Sequence, residues 1–127
     1  MPNRGMLEVE AGPGGVVVAR LAGEFDTTNA ARLRSALLGA VEQAGERAGE
    51  PGVEIDLSAV RFMDSMGLGA LVAGFHLARR RGVPYRVGRA SPAAARLLTM
   101  TGLARLWGLR EDHGRPAFAP AYSQPAS

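Results

Sequence analysis

Between residues 53 and 75 the spacing of the apolar residues changes from every second position to helical spacing. Residues 53–57 (VEIDL) alternate apolar and polar side chains, which is typical of a strand with one buried face. Residues 68–75 carry apolar side chains at positions i, i+3, i+4 and i+7, the buried stripe of an amphipathic helix. A half-exposed strand that continues into such a helix predicts a sheet that helices cover on one side only.

The rest of the chain continues this alternation. An opening hairpin adds an antiparallel pair, and right-handed crossovers make the later strands parallel. The order is β-β-α-β-α-β-α, which predicts a small mixed α/β sheet with helices packed mainly on one face. The predicted strands cover 6–10, 16–22, 53–57 and 84–88, with an additional edge strand at 106–109. The predicted helices run from about Thr28 to Ala44, from the step at 64–65 to Arg81, and over 92–101. A turn at 12–15 and an exposed loop at 45–52 are among the predicted connections.

The chain divides into one predicted domain and a tail. Its 127 residues fit a single domain, which we assign to residues 1–109. Residues 110–127 are rich in Pro, Ala and Ser and contain little to bury. They are therefore predicted to form a mobile C-terminal tail.

The composition excludes several kinds of site. There is no cysteine, which rules out disulfides and thiolate ligands. The two histidines, His76 and His113, are far apart and lack a ligand-spaced partner. Because first-row metals are held by clusters of such ligands, we expect neither a metal nor a cofactor.

The charge and the hydropathy indicate where the protein acts. The net charge is +3, and all fifteen basic residues are arginine. The one dense group, Arg79–Arg81, fits a helix C-terminus, where cations are favoured, better than a nucleic-acid patch. No apolar run reaches the roughly 18–20 residues that a membrane span needs. We therefore expect a cytoplasmic protein that binds neither nucleic acid nor membrane directly.

Ser65 stands at the junction between the strand and the helix, and three interpretations compete. Asp64 or Ser65 can be the N-cap that accepts a hydrogen bond from an unpaired N–H of the first turn. Ser65 can be a nucleophile on a sharp turn, but Met63 occupies the position that is glycine in the usual Gly-x-Ser-x-Gly signature, and no histidine base is near. Ser65 can be a modification site, because a helix N-terminus accommodates phosphate.

Three blocks of the sequence resemble the STAS-domain anti-sigma factor antagonists of bacteria. They are residues 21–37 (LAGEFDTTNAARLRSAL), 53–71 (VEIDLSAVRFMDSMGLGAL) and 90–107 (ASPAAARLLTMTGLARLW). The middle block is the specific one, because it is close to the family's Asp-Leu-Ser…Asp-Ser-x-Gly-Leu signature. The resemblance covers about residues 6–109.

The resemblance implies a phosphorylation switch at Ser65. In the family the serine after the aspartate accepts the phosphate, and the frequent second serine or threonine is Met66 here. The unphosphorylated protein would bind an anti-sigma factor serine kinase and so free a sigma factor for stress-responsive transcription. Phosphorylation would release the kinase, and a serine phosphatase would restore binding. The chain would then be a substrate and a binding module, not an enzyme.

The same resemblance implies which residues face the partner. Asp26 matches a family aspartate that lies near the partner's nucleotide site, and Asn29 stands where many members have threonine. An alternative role for a STAS domain is that of a ligand or nucleotide sensor, or of a scaffold subunit in a larger complex. The expected partner-binding residues are Asp26, Thr27, Asn29, Asp64, Ser65, Met66 and Gly67.

Overall fold

Four strands form one mixed sheet in the computed structural model, which describes residues 5–47 and 51–109. They are β1 (Gly5–Ala11), β2 (Val17–Phe25), β3 (Val53–Met63) and β4 (Tyr85–Ala90), and they are neighbours in that order. β1 runs antiparallel to β2, whereas the β2–β3 and β3–β4 pairs are parallel. The predicted mixed α/β fold is confirmed.

The helices follow the predicted order. They are α1 (Ala30–Gly45), α2 (Ser65–Arg81), α3 (Pro92–Met100) and a short α4 (Leu103–Leu106). α2 ends as predicted, with three arginines in its last turn and Gly82 in the left-handed conformation after it. Arg81 reaches across to Glu42 of α1 at 2.7 Å, so this end of α2 is tied to the neighbouring helix. None of the helices in the described part of the chain has the length and apolarity needed to cross a bilayer.

One face of the sheet is covered and the other is open. Along β2 and β3 alternate residues are buried in the core, against which α1 and α3 pack. The opposite face, which we call the open sheet face, carries charged side chains that pair with one another. Arg20 bonds to Glu10 and lies 4.0 Å from Asp56, and Arg86 bonds to Glu54 at 2.8 Å. The alternation of the sequence therefore corresponds to a helix-covered face and a solvent face.

β3 extends six residues beyond the predicted end at Leu57. The pairing with β2 shifts twice, between Arg20 and Ala22 and again between Gly23 and Glu24. Each shift inserts an extra residue into β3, which breaks the strict alternation and hides the strand from a two-residue pattern. The extension carries β3 to Met63, directly before Asp64 and Ser65.

The prediction of an edge strand at residues 106–109 is wrong. Gly102 (φ 79°) ends α3, and the chain then turns into α4; Gly108 (φ 75°) also lies in the left-handed region, which a regular strand does not allow. The segment nevertheless lies at the β4 edge, because the Val87 N–H donates to the Trp107 carbonyl at 2.9 Å. Trp107 is fully buried, as expected for a core residue.

Candidate functional site

The two loops that the sequence singled out lie at the same edge of the sheet. β2 and β3 are parallel, so their carboxyl ends coincide, and Phe25 pairs with Met63 as the last matched residues. The Asp64 N–H donates to the Phe25 carbonyl at 3.1 Å, which fixes the start of α2 beside the β2–α1 loop. Asp26 and Ser65, which are 39 positions apart in the sequence, are thereby brought to one surface.

Asp64 caps α2. Its backbone is extended, and its Oδ1 accepts hydrogen bonds from the N–H groups of Met66 at 2.9 Å and Gly67 at 3.1 Å. These are two of the donors that a helix start leaves unpaired. Of the two capping residues considered from the sequence, the aspartate therefore performs the task and the serine does not.

Ser65 is the first residue of α2, and its side chain is exposed. Within residues 5–47 and 51–109 no hydrogen bond engages its hydroxyl, since the cap is made by Asp64. The adjacent Met66 is also exposed, with 51% of its surface accessible. The junction thus presents an uncommitted hydroxyl next to a large flexible apolar side chain.

Gly67 allows α2 to approach the sheet closely. A Cβ atom at this position would lie 2.8 Å from Met63 Cγ and 3.2 Å from the Phe25 carbonyl oxygen. The second contact involves backbone, which cannot move aside easily. Gly67 is buried, and the absence of a side chain lets the serine-bearing turn lie against the end of β2. The expected contact of Gly67 with a partner stays a prediction.

The β2–α1 loop is closed by Asp26. Its Oδ1 accepts from the Thr28 N–H at 2.9 Å and from the Thr28 hydroxyl at 2.5 Å, and its carbonyl accepts from the Ala30 N–H at 2.9 Å. This turn precedes the helix, which is why α1 begins at Ala30, two residues later than predicted. Thr27 lies at the exposed tip of the turn.

The Asn29 side chain holds the same loop together through two hydrogen bonds. Its Oδ1 accepts from the Asp26 N–H at 3.0 Å, and its Nδ2 donates to the Glu24 carbonyl at 2.9 Å. The side chain is 7% exposed. The expected contact of Asn29 with a partner stays a prediction, while the amide is buried and already holds both ends of the turn. Sequence reasoning missed this role, since a side chain that bonds residues three and five positions back gives no periodic signal.

Gly5 of β1 leaves space for the Asn29 side chain. A Cβ at residue 5 would lie 2.6 Å from Asn29 Nδ2 and 2.6 Å from the Glu24 carbonyl oxygen. A side chain there would push the amide out of its position. The first residue of β1 thus supports the loop that carries Asp26.

The hydrolase interpretation gains no support from the geometry. His76 lies eleven positions after Ser65 on the same helix, which corresponds to about 16 Å along the helix axis. Its ring packs near Phe75, with centroids 5.8 Å apart. His113 lies outside the described residues. Among the residues that are described, no group of three or more His, Asp or Glu could hold a metal ion.

Comparison with known proteins gives the family. The STAS domain model matches residues 9–115, which is most of the chain. The chain is 30% identical over 100 residues to the anti-sigma F factor antagonist of Paenibacillus polymyxa, a match that spans 77% of this chain and 80% of the relative. It is 32% identical over 87 residues to the anti-sigma-B factor antagonist of Bacillus subtilis (strain 168), which spans 68% and 74% of the two chains.

Solved structures agree with this assignment. A crystal structure of an anti-sigma factor antagonist from Mycobacterium paratuberculosis superposes with a TM-score of 0.71 at 29% identity, covering 94% of this chain and 96% of the other. The antagonist SpoIIAA in its unphosphorylated form has the same fold, with a TM-score of 0.62 at 23% identity over 80% of this chain and 84% of the other. The chain therefore belongs to the STAS-domain family of anti-sigma factor antagonists.

Proposed function

We propose that this protein is an anti-sigma factor antagonist that is switched by phosphorylation of Ser65. In the unphosphorylated state it binds an anti-sigma factor, a serine kinase, and so frees a sigma factor for transcription. Phosphorylation of Ser65 releases the kinase, and a serine phosphatase resets the switch. One observation carries the proposal most strongly: Asp64 makes the helix cap, which leaves the exposed Ser65 hydroxyl available as the acceptor.

The start of α2 suits a reversible phosphate for physical reasons. A helix N-terminus carries unpaired N–H groups and the positive end of the helix dipole, which favour a negative group. The hydroxyl is outside the core, so a kinase can reach it without unfolding the domain. The protein is on this account a substrate and a binding module in the cytoplasm, and the reaction belongs to its partners.

The partner surface consists of direct contacts and residues that support them. Thr27, Ser65 and Met66 are exposed at the shared edge of the sheet, and Asp26 is partly exposed beside them. Methionine adapts its shape to a partner, so Met66 is suited to an interface that must form and dissociate. Asp64, Gly67 and Asn29 take part by fixing the two turns that present these side chains.

The first experiment identifies the acceptor. An affinity purification with the Ser65→Ala variant as bait should retain the anti-sigma kinase from cell extract, because this variant cannot be released by phosphorylation. Wild-type protein incubated with that kinase and ATP should then be phosphorylated on Ser65 alone. Two other hydroxyls are engaged: Ser58 bonds to Asp56 at 2.6 Å, and Ser91 accepts from the Ala94 N–H as the cap of α3.

Phosphopeptide mapping by mass spectrometry checks this result. Thr27 is exposed at the same surface and is the strongest competitor. Phosphate found on Thr27, Ser58 or Ser91 in place of Ser65 would contradict the proposal. The Ser65→Ala variant provides the control, since it should take up no phosphate.

Substitution of Asp26 should separate its charge from its role in the turn. In Asp26→Asn the retained Oδ1 can still accept from Thr28, so the turn and the melting temperature should be preserved while the negative charge is lost. We expect this variant to bind the kinase more weakly or to be phosphorylated more slowly. Asp26→Ala should show the same functional loss and, in addition, a destabilisation of about 0.5–2 kcal/mol, typical for loss of a cap-type hydrogen bond.

Thermal melting and binding measured on the same samples distinguish the two roles. If Asp26→Asn binds and is phosphorylated like the wild type, and only Asp26→Ala melts early, then Asp26 is a structural residue of the turn and does not contact the partner.

A further inference from the structure

A second apolar surface lies on the open sheet face, next to the junction that carries Ser65. The strand register places Met6, Ala22 and Ala59 in one row across β1, β2 and β3, because Met6 pairs with Ala22 and Ala22 with Ala59. Phe62 follows in the next row towards the carboxyl ends of the strands, opposite Glu24. We call these four apolar residues, Met6, Ala22, Ala59 and Phe62, the open-face patch.

The open-face patch combines two large exposed side chains, Met6 and Phe62, with a groove beside Met6. Met6 is 62% and Phe62 is 49% exposed, whereas Ala22 and Ala59 have short side chains. A groove of about 240 Å³ lies over this row, lined by Met6, Glu8, Arg20, Leu21, Ala22, Asp56, Ser58 and Ala59. Clustered exposed apolar side chains around a groove are typical of interaction sites, unlike single scattered ones.

Several charged side chains around the patch pair with one another. Arg20 bonds to Glu10 and lies 4.0 Å from Asp56 on the groove side. Arg61 lies 3.7 Å from Glu24 beside Phe62. The groove lining carries two carboxylates, those of Glu8 and Asp56, and one guanidinium, that of Arg20, so the groove does not favour an anionic ligand. Its volume is also below the roughly 300–1,000 Å³ of small-molecule sites, so a single apolar side chain fits it better than a nucleotide does.

The patch is continuous with the switch surface along the chain. Phe62 precedes Ser65 by three residues, so their Cα atoms are no more than about 11 Å apart even if the backbone is fully extended. A protein interface of ordinary size buries about 800 Å² on each partner, with 20–30 residues on a side. A partner that covers Ser65 therefore has ample extent to reach Phe62.

We propose that the open-face patch is a second contact region for the same anti-sigma factor, which inserts an apolar side chain into the groove beside Met6 and covers Phe62. This inference rests on the proposed function, because it assumes the partner that docks at Ser65. The patch adds affinity through apolar burial, whereas Ser65 controls release through charge. Together they would let the partner bind tightly and still be expelled by one phosphate.

The test measures the affinity of four variants for the kinase purified with the Ser65→Ala bait. Phe62→Ser and Met6→Ser remove the large apolar side chains, and Ala59→Arg fills the groove without removing an apolar contact. Leu106→Ser is the matched control: Leu106 is similarly exposed at 55% but lies in α4, at the β4 edge of the sheet. We expect Phe62→Ser and Ala59→Arg to weaken binding roughly tenfold or more, as central interface residues do, with Met6→Ser affected less and Leu106→Ser unchanged.

The measured affinities are interpreted together with the melting of each variant, the binding of Ser65→Asp, and the oligomeric state from sedimentation. All variants should melt like the wild type, because the substituted side chains are exposed. If Phe62→Ser and Ala59→Arg bind normally while Ser65→Asp does not, the inference is wrong and the proposed function stands. If even unphosphorylated wild-type protein binds no anti-sigma factor, both are wrong. If sedimentation shows a wild-type dimer that Phe62→Ser dissociates, a second copy of the chain occupies the patch and the inference is likewise overturned.

Discussion

Phosphorylation of Ser65 is expected to weaken anti-sigma factor binding by a factor of about 30 or more and to leave the fold almost unchanged. A phosphate adds about 1.5–2 negative charges at neutral pH. At the first turn of α2 it meets the positive end of the helix dipole, an interaction worth about 0.3–1 kcal/mol at an exposed site.

The cap limits what the phosphate can gain from the helix. Asp64 already accepts the N–H groups of Met66 and Gly67, and the Leu68 N–H is bonded to the Asp64 carbonyl. Few donors of the first turn therefore remain for the phosphate, and the Asp64 carboxylate repels it, a repulsion that salt screens in part. The two effects have opposite signs and similar size, so the folded state should be neither strengthened nor weakened appreciably.

Inside an interface the balance is different. A charge that is desolvated beside a partner, without a counter-charge, costs on the order of 2–5 kcal/mol. Since about 1.4 kcal/mol corresponds to a factor of ten in affinity, this cost lowers the affinity by a factor of about 30 to a few thousand. We therefore expect binding to be lost through a change at the surface and not through unfolding.

Calorimetric titration and circular dichroism on the same four proteins check both halves of this expectation. Phosphorylated wild type should melt within a few degrees of the unmodified protein yet fail to bind. Ser65→Asp, which carries one charge and a shorter side chain, should show a weaker version, and Ser65→Ala should bind constitutively. Collapse of the circular dichroism signal on phosphorylation would mean that the switch works by unfolding, contrary to the geometry of the cap.

The sequence predicts the fold where the apolar pattern is regular. The strand at 53–57, the helix that follows Ser65 and its glycine stop all emerge from local spacing, and each is present in the structure. The second half of β3 was not predicted, because two register shifts put neighbouring residues on the same face. The wrong prediction at 106–109 has a similar origin. The apolar residues there are buried by a turn and a short helix, and their spacing resembles that of a strand.

The candidate site was predictable only in part. Local chemistry distinguishes Asp64 and Ser65 as a helix start, and the resemblance indicates the acceptor. The division of work between them depends on which oxygen faces the N–H groups of Met66 and Gly67, which only the structure provides. The open-face patch was missed altogether, because Met6 and Phe62 are 56 positions apart in the sequence and belong to different strands.

Among single substitutions at the β4 edge of the sheet, replacement of Trp107 by alanine is expected to be the most destabilising. The side chain is fully buried, and its ring lies 5.8 Å from that of Phe75 and 5.7 Å from that of Tyr85. The Tyr85 hydroxyl in turn donates to the Leu71 carbonyl of α2 at 2.6 Å, and burial raises the pKa of the phenol. Trp107 thus joins the segment after α3 to both the β4 edge and α2.

The expected cost of Trp107→Ala is about 3–5 kcal/mol, which is typical of truncating a large aromatic residue in a core. A domain of this size has about 5–15 kcal/mol of stability in total, so the variant should lose a large part of it and melt at least about 12 °C lower. Trp107→Phe should be clearly milder. It retains a ring against Phe75 and Tyr85 and removes the indole Nε1–H, a buried donor that no acceptor reaches among the described residues.

Urea unfolding at 25 °C, followed by circular dichroism, measures the loss for both variants. At temperatures where Trp107→Ala is still folded, its affinity for the anti-sigma factor should equal that of the wild type, because apparent affinity falls only with the binding-competent fraction. If Trp107→Ala unfolds at the same urea concentration as the wild type, the ring contacts of Trp107 with Phe75 and Tyr85 do not stabilise this edge of the sheet. A stable variant with lost binding would instead place Trp107 in the partner surface, which its complete burial argues against.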